Sequence, residues 1–377
     1  MNRICRGKGR SLLKKDFYFP PVPKFKGGKM RRIITAVCCF CTVCLLLLLC
    51  GCESRQQIRE KTYFEYFDTV SVVYSYAGDS EDDFLENCRE IEATFVKYHR
   101  LFDIYNEYEG INNLCTVNKN AGGYPVAVDR ELIDFLLYAK ELYVLTNGEM
   151  NVMMGSVLSL WHDFREFAEQ SAKSVKVPTK SELDSAGEHT SIDLLEIDEV
   201  ACTVRISDPE ASLDVGAIGK GYAAEKAACL LKEKGVQSYV LDVGGNLRLV
   251  GTKPDGGSWS TGIKDPRNEG DFALCLNLSD TSCVTSGDYE RTVELDGVRY
   301  HHIIDKDTLM PAAYFSSVTV VCENSTLADA LSTALFCMSV REGHALVASL
   351  GNVEVIWITQ SGEMITTDGI ASLQVKD

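Results

Sequence analysis

The sequence predicts an α+β protein in which mixed, largely antiparallel sheets pack against helices. Helical patterns come early in the chain and runs of short strands follow, instead of the regular alternation of a parallel α/β fold. No segment repeats with a period of 20–50 residues, which excludes a solenoid or a propeller. The hydrophobic fraction of 45% and the charged fraction of 24% are those of an ordinary globular protein.

The N-terminal part has the pattern of a lipoprotein signal peptide. A basic pair at residues 31–32 precedes an apolar run from Ile33 to Leu49. The segment Leu49-Cys50-Gly51-Cys52 resembles a bacterial lipobox, with Cys52 as the lipidated residue. An uncleaved anchor helix is the alternative. Both interpretations predict an extracytoplasmic protein that is anchored to the bacterial cell membrane, in the first case by lipid.

These features divide the chain into four parts. We expect a disordered extension or a mis-assigned upstream start, a signal peptide, a polar tether and a folded domain, which cover residues 1–29, 30–51, 52–62 and 63–377.

The charge is unevenly distributed along the chain. Residues 1–52 contain eleven of the 38 Lys and Arg residues but one of the 54 acidic residues, which leaves residues 53–377 with a formal charge of −26. Such an acidic domain is not expected to bind a nucleic-acid backbone. A phosphate-bearing ligand would need local help from cations, backbone amides or a metal ion.

The first elements of the domain follow from periodicity. Thr69–Tyr76 alternates as a strand does, and Asp82–His99 has apolar residues at helical spacing. Asp129 could cap a helix that ends near Thr146, where Asn147-Gly148 would stop it.

The remaining elements are shorter. Asn151–Phe164 is predicted to be a helix, residues 165–190 have no clear pattern, and amphipathic helices follow at about 221–234 and at Ser325–Met338 with Ser325 as the cap. Strands are predicted at 192–197, 202–206, 212–215, 239–243, 247–251, 259–263, 273–278, 317–322, 353–359 and 363–367.

Reactive side chains are concentrated in Val284–Asp307. A small-residue turn at Thr285–Asp288 precedes two strands, Thr292–Leu295 and Val298–Ile304, which Asp296-Gly297 joins as a hairpin. The second strand carries two adjacent histidines, and neighbouring strand residues point to opposite faces. At most one of the two histidines can therefore serve a site. This clustering of reactive side chains favours a functional site over a polar surface hairpin.

Two glycine clusters indicate close approach of a ligand. In Asp214–Tyr222 a glycine-rich turn opens a helix, so free amides and Lys220 could bind an anion. The spacing fits neither a dinucleotide-binding fingerprint nor a P-loop. In Leu241–Asn246 a strand ends in paired glycines. The alternative for the first cluster is that its glycines allow tight strand–helix packing. The alternative for the second is a plain turn.

A third pattern lies on the predicted helix near the C-terminus. Asp329 and Thr333 are four residues apart, so they share one helix face. A carboxylate and a hydroxyl together suit a hard cation such as Mg²⁺. With a phosphate-bearing ligand and a histidine, the pattern fits attack on a phosphoanhydride.

Several segments of the chain, taken in sequence order, resemble the motifs of the ApbE family of flavin transferases, the FAD:protein FMN transferases. The resemblance spans about residues 64–360. The matching segments are Phe67-Asp68-Thr69, Phe102–Tyr105, Asn118, Asn147–Asn151, Leu213–Tyr222, Gly244-Gly245-Asn246, Thr285–Arg291, Tyr300–Asp305 and Ala328–Thr333.

The resemblance implies an ApbE-like fold related to the T-fold, and an enzyme with FAD as its substrate. Such an enzyme cleaves the FAD pyrophosphate with Mg²⁺, joins FMN through a phosphoester to a threonine of a partner protein, and releases AMP. The implied partner is an acceptor with a flavinylation motif, of the kind found in extracytoplasmic flavin redox subunits.

The resemblance also implies roles for individual residues. Asp329 and Thr333 would bind the metal together with the backbone carbonyl of Ala217. His301 or His302 would help to deprotonate the acceptor threonine. The flavin nucleotide site would be lined by Phe67, Tyr105, Glu149, Met150, Asn151, Asp214, Lys220 and Ile303.

The chain departs from the family pattern in three places. Met150-Asn151 stands where the family usually has Phe-Asp, so a carboxylate near the flavin is lost. Leu309 replaces a glycine, and Phe67-Asp68 stands where the family has Gly or Met-Gly. These changes affect the flavin contacts and the rate more than the reaction class.

Two alternative functions remain open. The same residues could hydrolyse FAD to FMN and AMP, with water in place of threonine. The departures at Asn151 and Leu309 motivate the other alternative, a membrane-tethered flavin-binding lipoprotein without turnover. The chain lacks a good copy of the acceptor motif, so self-flavinylation is not expected.

Overall fold

The computed structural model describes residues 58–170, 176–268 and 270–375, with the side chains of residues 169 and 170 left out. From Arg59 onward these residues form one compact unit. The predicted signal peptide, the upstream extension and Cys52 lie outside the described residues. Within the described part of the chain, no helix combines the length and the apolar character needed to cross a membrane.

The helices, numbered here in chain order, include three long ones that precede most of the strands. They are α1 Glu81–Phe102, α2 Leu114–Lys119, α3 Arg130–Leu145, α4 Gly155–Gln170, α5 Lys180–Gly187, α6 Gly219–Glu233, α7 Ser325–Cys337, α8 Val340–Leu350 and α9 Ile370–Leu373. A 3₁₀ turn covers Ile192–Leu194.

The strands are short and pair antiparallel throughout the described sheets. They are β1 Arg59–Tyr63, β2 Ser71–Ser75, β3 Val126–Ala127, β4 Leu195–Asp198, β5 Thr203–Ile206, β6 Tyr239–Val243, β7 Asn246–Val250, β8 Trp259–Lys264, β9 Phe272–Leu278, β10 Ser282–Gly287, β11 Val293–Leu295, β12 Val298–Tyr300, β13 Phe315–Cys322, β14 Glu354–Thr359 and β15 Met364–Thr366.

One sheet of eight strands organises the fold, in the order β1-β2-β6-β7-β10-β13-β14-β15. Smaller sheets pair β3, β5 and β4, then β8 with β9, and β11 with β12. The antiparallel sheets and the packed helices confirm the predicted α+β class.

The eight-stranded sheet is covered on both faces, as its alternating side chains require. Leu241 of β6 and Val320 of β13 belong to the main core, which also contains the apolar sides of α1, α3, α6 and α7. Their neighbours Val240 and Val321 belong to a second core with Trp259 of β8 and residues of β9. Helices therefore cover one face and the β8–β9 hairpin covers the other.

Local signals explain the long helices and the hairpin. Ser80 caps α1 by accepting a hydrogen bond from the amide of Asp83, and Asp129 caps α3, as predicted. In the β11–β12 hairpin, Asp296 and Gly297 have φ angles of +52° and +78°, the conformation that a two-residue turn between twisted strands requires.

Several predicted boundaries are wrong. Residues 59–62, which the sequence predicts to lie in the tether, belong to strand β1, which pairs with β2. Ser212–Val215 is not a strand in the structure. Helix α7 is capped by Asn324, whose side chain accepts from the amide of Leu327, and Ser325 is the first helical residue. The unpatterned stretch 165–190 contains the end of α4 and the whole of α5.

The segment around the histidines also differs from the prediction. Thr285–Gly287 was predicted to be a turn but lies in β10, paired with β13, so the turn begins at Asp288. Strand β12 ends at Tyr300, and both histidines follow it in irregular backbone. Their different environments consequently come from the loop path and not from strand alternation.

Candidate active site

Asp329 is a buried carboxylate at the junction of α6 and α7. It is 4% exposed, and its Oδ2 accepts a 2.8 Å hydrogen bond from the backbone amide of Gly221. The Nζ of Lys220 lies 3.9 Å from Oδ1. Burial raises the pKa of Asp329, and the charge of Lys220 and the Gly221 amide oppose that rise. Among the residues that the structure describes, Lys220 is the one cation paired with Asp329, so this buried carboxylate can bind a further positive charge.

The absence of a side chain at Gly221 permits this junction. A Cβ at this position would lie 2.5 Å from the carbonyl oxygen of Ser325 and 2.6 Å from the Cβ of Asp329. Glycine is therefore required here for the close approach of α7, so the tight packing at Gly221 joins two helices and not a strand and a helix. The amide of the same glycine also binds the carboxylate.

The three predicted metal ligands occupy neighbouring elements. Thr333 follows Asp329 by one turn of α7, and Ala217 lies in the turn that leads into α6. No cluster of three or more His, Cys, Asp or Glu suited to a metal occurs in the described part of the chain. The donors here are one carboxylate, a hydroxyl and a backbone carbonyl, which fits Mg²⁺ because that ion takes few protein ligands and retains water or phosphate oxygens.

The two adjacent histidines differ in their hydrogen bonds. His301 is 4% exposed, its Nε2 donates to the carbonyl of Ala312 at 2.8 Å, and its Nδ1 accepts from the amide of Ile303 at 3.2 Å. The Nδ1 of His302 lies 3.1 Å from the carbonyl oxygen of Glu290. A carbonyl only accepts, so in neutral His302 the proton is on Nδ1 and Nε2 keeps its lone pair. His302 can thus act as a base, whereas both nitrogens of His301 have structural partners.

Cations surround His302. Burial, followed by the positive charges of Arg291, Lys220 and Arg165, lowers the pKa of His302 to about 3 from an ordinary value of 6.5. The imidazole is therefore neutral near pH 7. The same three cations are suited to attract an anionic ligand toward this ring.

Arg291 connects the histidine loop to the loop before β2. Its guanidinium donates to the carbonyl of Asp68 at 3.0 Å and lies 3.2 Å from the Asp68 carboxylate. Phe67 and Asp68 both have positive φ, at +57° and +51°. The ring of Phe67 packs edge-on against His99 with centroids 5.9 Å apart. The predicted flavin contact at Phe67 therefore borders the cation-rich region.

Tyr105 is close enough to Asp214 for the carboxylate to affect its hydroxyl. Tyr105 is 61% exposed, and its ring centroid is 5.4 Å from that of His162 on α4. Desolvation of its hydroxyl and then the nearby Asp214 carboxylate raise the pKa of Tyr105 to about 12. Asp214 accepts a 2.8 Å hydrogen bond from the amide of Gly216 and so shapes the turn before α6.

The predicted loop Glu149–Asn151 is only partly available to a ligand. Glu149 is 3.3 Å from the Nζ of Lys306, and burial raises its pKa. Met150 is 1% exposed and belongs to the main core, so its side chain does not form an open surface. Asn151 donates to the carbonyl of Thr190 and accepts from the amide of Met153, both at 2.9 Å, which is a structural role.

The turn that follows Ile303 contains Leu309, the residue that stands where the family usually has glycine. Ile303 is buried, and its carbonyl accepts from Ala312. The carboxylate of Asp305 accepts from the amides of Asp307 and Thr308. Leu309 has a φ of +57°, and its carbonyl accepts a 2.9 Å bond from the indole of Trp161. A non-glycine residue thus occupies a left-handed position, which costs about 1 kcal/mol or more.

Four residues that contact or charge the site are not among the site residues that the sequence predicts. Arg291 stands in a predicted segment but had no assigned role, and Arg165 lies in the stretch without a pattern. Gly221 is within the glycine-rich motif, where the close contact with α7 could not be foreseen. Lys306 follows the predicted hairpin, and its position beside Glu149 had no signal in the sequence.

The fold and the site define an α+β protein with a buried acidic residue, a neutral histidine and a group of cations that could bind an anionic ligand. Comparison of the chain with known protein families and structures narrows this class. The chain belongs to the ApbE family, whose model matches residues 68–357.

Proteins that are similar in sequence along most of their length support this assignment. The chain is 31% identical over 342 residues to the FAD:protein FMN transferase of Treponema pallidum, with 86% of this chain and 92% of that protein covered. It is 30% identical over 321 residues to the protein of the same name from Vibrio cholerae, with 84% and 92% covered.

Solved structures have the same fold. The crystal structure of the ApbE protein from Thermotoga maritima has a TM-score of 0.74 and 26% identity, and covers 85% of this chain and 100% of its own. The flavin transferase ApbE from Vibrio cholerae has a TM-score of 0.69 and 26% identity, and covers 84% and 100%. These likenesses agree with the predicted ApbE-like fold.

Proposed function

We propose that this chain transfers FMN from FAD to a threonine hydroxyl of a partner protein in a Mg²⁺-dependent reaction. The threonine oxygen forms a bond to the phosphorus of the FMN half, the bridging P–O bond of the pyrophosphate breaks, and AMP leaves. One observation carries the proposal: the buried carboxylate of Asp329 accepts from the Gly221 amide at 2.8 Å and lies 3.9 Å from the Nζ of Lys220. The charge of the same lysine contributes to the low pKa of His302. The names of the relatives support the same reaction.

Asp329, Thr333 and the carbonyl of Ala217 would hold Mg²⁺. When bound, the ion would neutralise the pyrophosphate charge, which an acidic domain of −26 would otherwise repel. Within the chain, the amide of Gly221 fixes one carboxylate oxygen of Asp329 and leaves the other to face Lys220. These contacts orient the carboxylate of Asp329 before a metal ion binds.

His302 would accept the proton of the acceptor threonine. The proton of neutral His302 is on Nδ1, which faces the Glu290 carbonyl, so the lone pair is on Nε2, and the low pKa keeps Nε2 unprotonated near neutral pH. The negative charge of bound phosphates would raise this pKa and so make His302 a stronger base. The positive charges of Arg165, Lys220 and Arg291 would bind the phosphates in the same region. The flavin nucleotide would extend along Phe67, Tyr105, Glu149 and Asp214, with the backbone of Met150, Asn151 and Ile303 behind it.

The place of the reaction follows from the N-terminal pattern and is part of the proposal. We propose that Cys52 carries a lipid anchor and that the domain acts outside the cytoplasm on an extracytoplasmic flavin redox subunit with a flavinylation motif. Mass spectrometry of the membrane fraction would test the anchor through a diacylglyceryl group on Cys52. An unmodified cysteine would contradict it.

An acceptor assay tests the reaction itself. The protein is incubated with FAD, Mg²⁺ and an acceptor that has the flavinylation motif, and covalent flavin is measured after denaturation together with AMP. Flavin on the wild-type acceptor, and none on a Thr→Ala acceptor, would support FMN transfer. AMP without labelled acceptor would indicate FAD hydrolysis instead. Bound but intact FAD would indicate a binding protein without turnover.

A further inference from the structure

A second contact joins α6 to α7, one turn from the bond between Gly221 and Asp329. The Oε2 of Glu225 accepts a 2.7 Å hydrogen bond from the backbone amide of Ser325, the first residue of α7. The two contacts are four residues apart on each helix, which is about one turn. An amide in the first turn has no partner within its helix, and a carboxylate there is also favoured by the helix dipole. Glu225 therefore fixes the start of the helix that carries Asp329.

Arg248 holds Glu225 in this position. Its side chain is 2% exposed, and its Nε lies 3.0 Å from the Oε2 of Glu225. Its Nη1 donates to the carbonyl of Leu249 at 2.6 Å and lies 3.6 Å from the Asp280 carboxylate. The charge of Arg248 is thus compensated, and the carboxylate of Glu225 is attached to strand β7.

Asn246, on the same strand, holds α7 through a different atom. Its Oδ1 accepts a 2.6 Å hydrogen bond from the hydroxyl of Ser325, and both side chains are buried. Its Nδ2 lies 3.1 Å from the place where a Cβ of Gly221 would be. Strand β7 therefore connects to the N-terminus of α7 through both Glu225 and Asn246, next to the Asp329 junction.

We propose that Glu225 is a positioning residue for the metal site: together with Arg248 it fixes the first turn of α7 and so the place where Asp329 presents its carboxylate to a divalent cation. This inference rests on the proposed function. Glu225 acts through the helix and not on the substrate. Its loss should weaken metal binding even in a protein that remains folded.

Two variants separate this role from a general loss of stability. Glu225→Leu with Arg248→Met removes both members of the buried ion pair, which proteins often tolerate, whereas Glu225→Leu alone would leave the buried Nε of Arg248 without an acceptor. Glu225→Gln keeps an oxygen that can accept from the Ser325 amide. Glu90→Gln is the matched control, because Glu90 pairs with Lys234 at the other end of α6, at 2.9 Å.

Binding of Mn²⁺ alone, measured by the EPR signal of the free ion, tests the inference without reference to activity. Thermal unfolding first verifies that each variant is folded. We expect the double variant to raise the Mn²⁺ dissociation constant at least about tenfold, equivalent to about 1.4 kcal/mol. Glu225→Gln should stay within about threefold, and Glu90→Gln should equal the wild type. A folded double variant within about threefold of the wild type would overturn the inference.

Further variants cover the remaining outcomes. If the double variant does not fold, Glu225→Asp replaces it: the shorter side chain should lose the Ser325 amide and weaken Mn²⁺ binding while Glu225→Gln does not, and equal affinities would overturn the inference. Asp329→Ala tests the proposed metal site separately. If it binds Mn²⁺ like the wild type, the proposed metal site fails. If it loses Mn²⁺ while the Glu225 variants keep it, only the role of Glu225 fails.

Discussion

The backbone amide of Gly221 donates a 2.8 Å hydrogen bond to Oδ2 of Asp329, across 108 residues of sequence. The glycine serves this contact in two ways, because it supplies the donor and leaves the space that α7 needs. The first turn of α6 and the acidic residue on α7 are consequently one structural unit. Changes on either helix should affect the same site.

Gly221→Ala should damage the site through packing. Its Cβ would meet the Ser325 carbonyl at 2.5 Å, and backbone at that distance has to shift. We expect a loss of about 1–3 kcal/mol in the free energy of unfolding, as for other overpacked interiors. We also expect at least about a tenfold loss of Mg²⁺-dependent activity, measured by flavin transfer to the acceptor.

Gly235→Ala is the control for that change. Gly235 follows α6, has a φ of +71° and faces open space, so alanine there adds backbone strain without a clash. It should lower stability by about 1 kcal/mol and leave activity unchanged at temperatures where it is folded. Equal losses of activity in the two variants would show that stability, and not the α6–α7 junction, limits the reaction.

Substitution of the two histidines should have different effects. His302→Gln removes the proposed base and should lower kcat by about 10²–10⁴ while FAD binding is kept. His301→Gln disturbs two buried hydrogen bonds and should lower the free energy of unfolding by about 1–3 kcal/mol. Turnover rates and urea unfolding of both variants distinguish the roles. A large loss of kcat in folded His301→Gln alone would reverse the assignment.

The low pKa of His302 predicts a dependence of stability on pH. The unfolded state binds a proton as pH falls below 6.5, whereas the folded state keeps the ring neutral down to about pH 3. Above pH 6.5 the ring is largely neutral in both states, so this histidine has little effect on the free energy of unfolding. As pH falls from 6.5 toward 3, it lowers the free energy of unfolding. At pH 4.5 the loss should be about 2.5 kcal/mol relative to pH 7. Urea unfolding of wild type and His302→Gln at both pH values measures it, and parallel losses in the two proteins would contradict the prediction.

Leu309 combines strain with packing, and two substitutions can separate them. Its φ of +57° favours glycine, while its side chain lies among the partly buried apolar residues around Trp161 and Phe164. Leu309→Ala loses packing and keeps the strain, whereas Leu309→Gly loses packing and relieves the strain. We expect both to be less stable than the wild type, and the glycine variant to be more stable than the alanine variant by about 1 kcal/mol in urea unfolding. The opposite order would show that the turn is unstrained.

Local signals allowed much of the fold to be predicted. The apolar spacing of α1, the cap at Asp129 and the Asp296-Gly297 turn each depend on residues close in sequence. The sequence does not predict strand β10, because Thr285-Ser286-Gly287 has small polar residues typical of a turn. Those residues pair with β13, and Ser286 bonds to Ser332 of α7. Tertiary pairing thus overrode local propensity.

The site was predictable in its motifs but not in its connections. Asp329 and Thr333 were identified by their helical spacing and by family resemblance. The partners that orient Asp329 come from α6, more than 100 residues earlier, so no local pattern indicates them. Which histidine is free to act depends on the carbonyls of Glu290 and Ala312, and backbone groups have no sequence signature. Arg165 lies in a polar stretch where one arginine resembles any other surface residue.

Flavin transfer by Asp329→Asn, compared with the wild type, tests the central claim most directly. The full chain is incubated with FAD, Mg²⁺ and the acceptor, and covalent flavin on the acceptor threonine is quantified by mass spectrometry alongside AMP. We predict equal amounts of AMP and labelled threonine with the wild type, and neither with Asp329→Asn, although its fold is kept. Undiminished labelling by Asp329→Asn, or a wild-type protein that leaves both FAD and acceptor intact, would contradict the account.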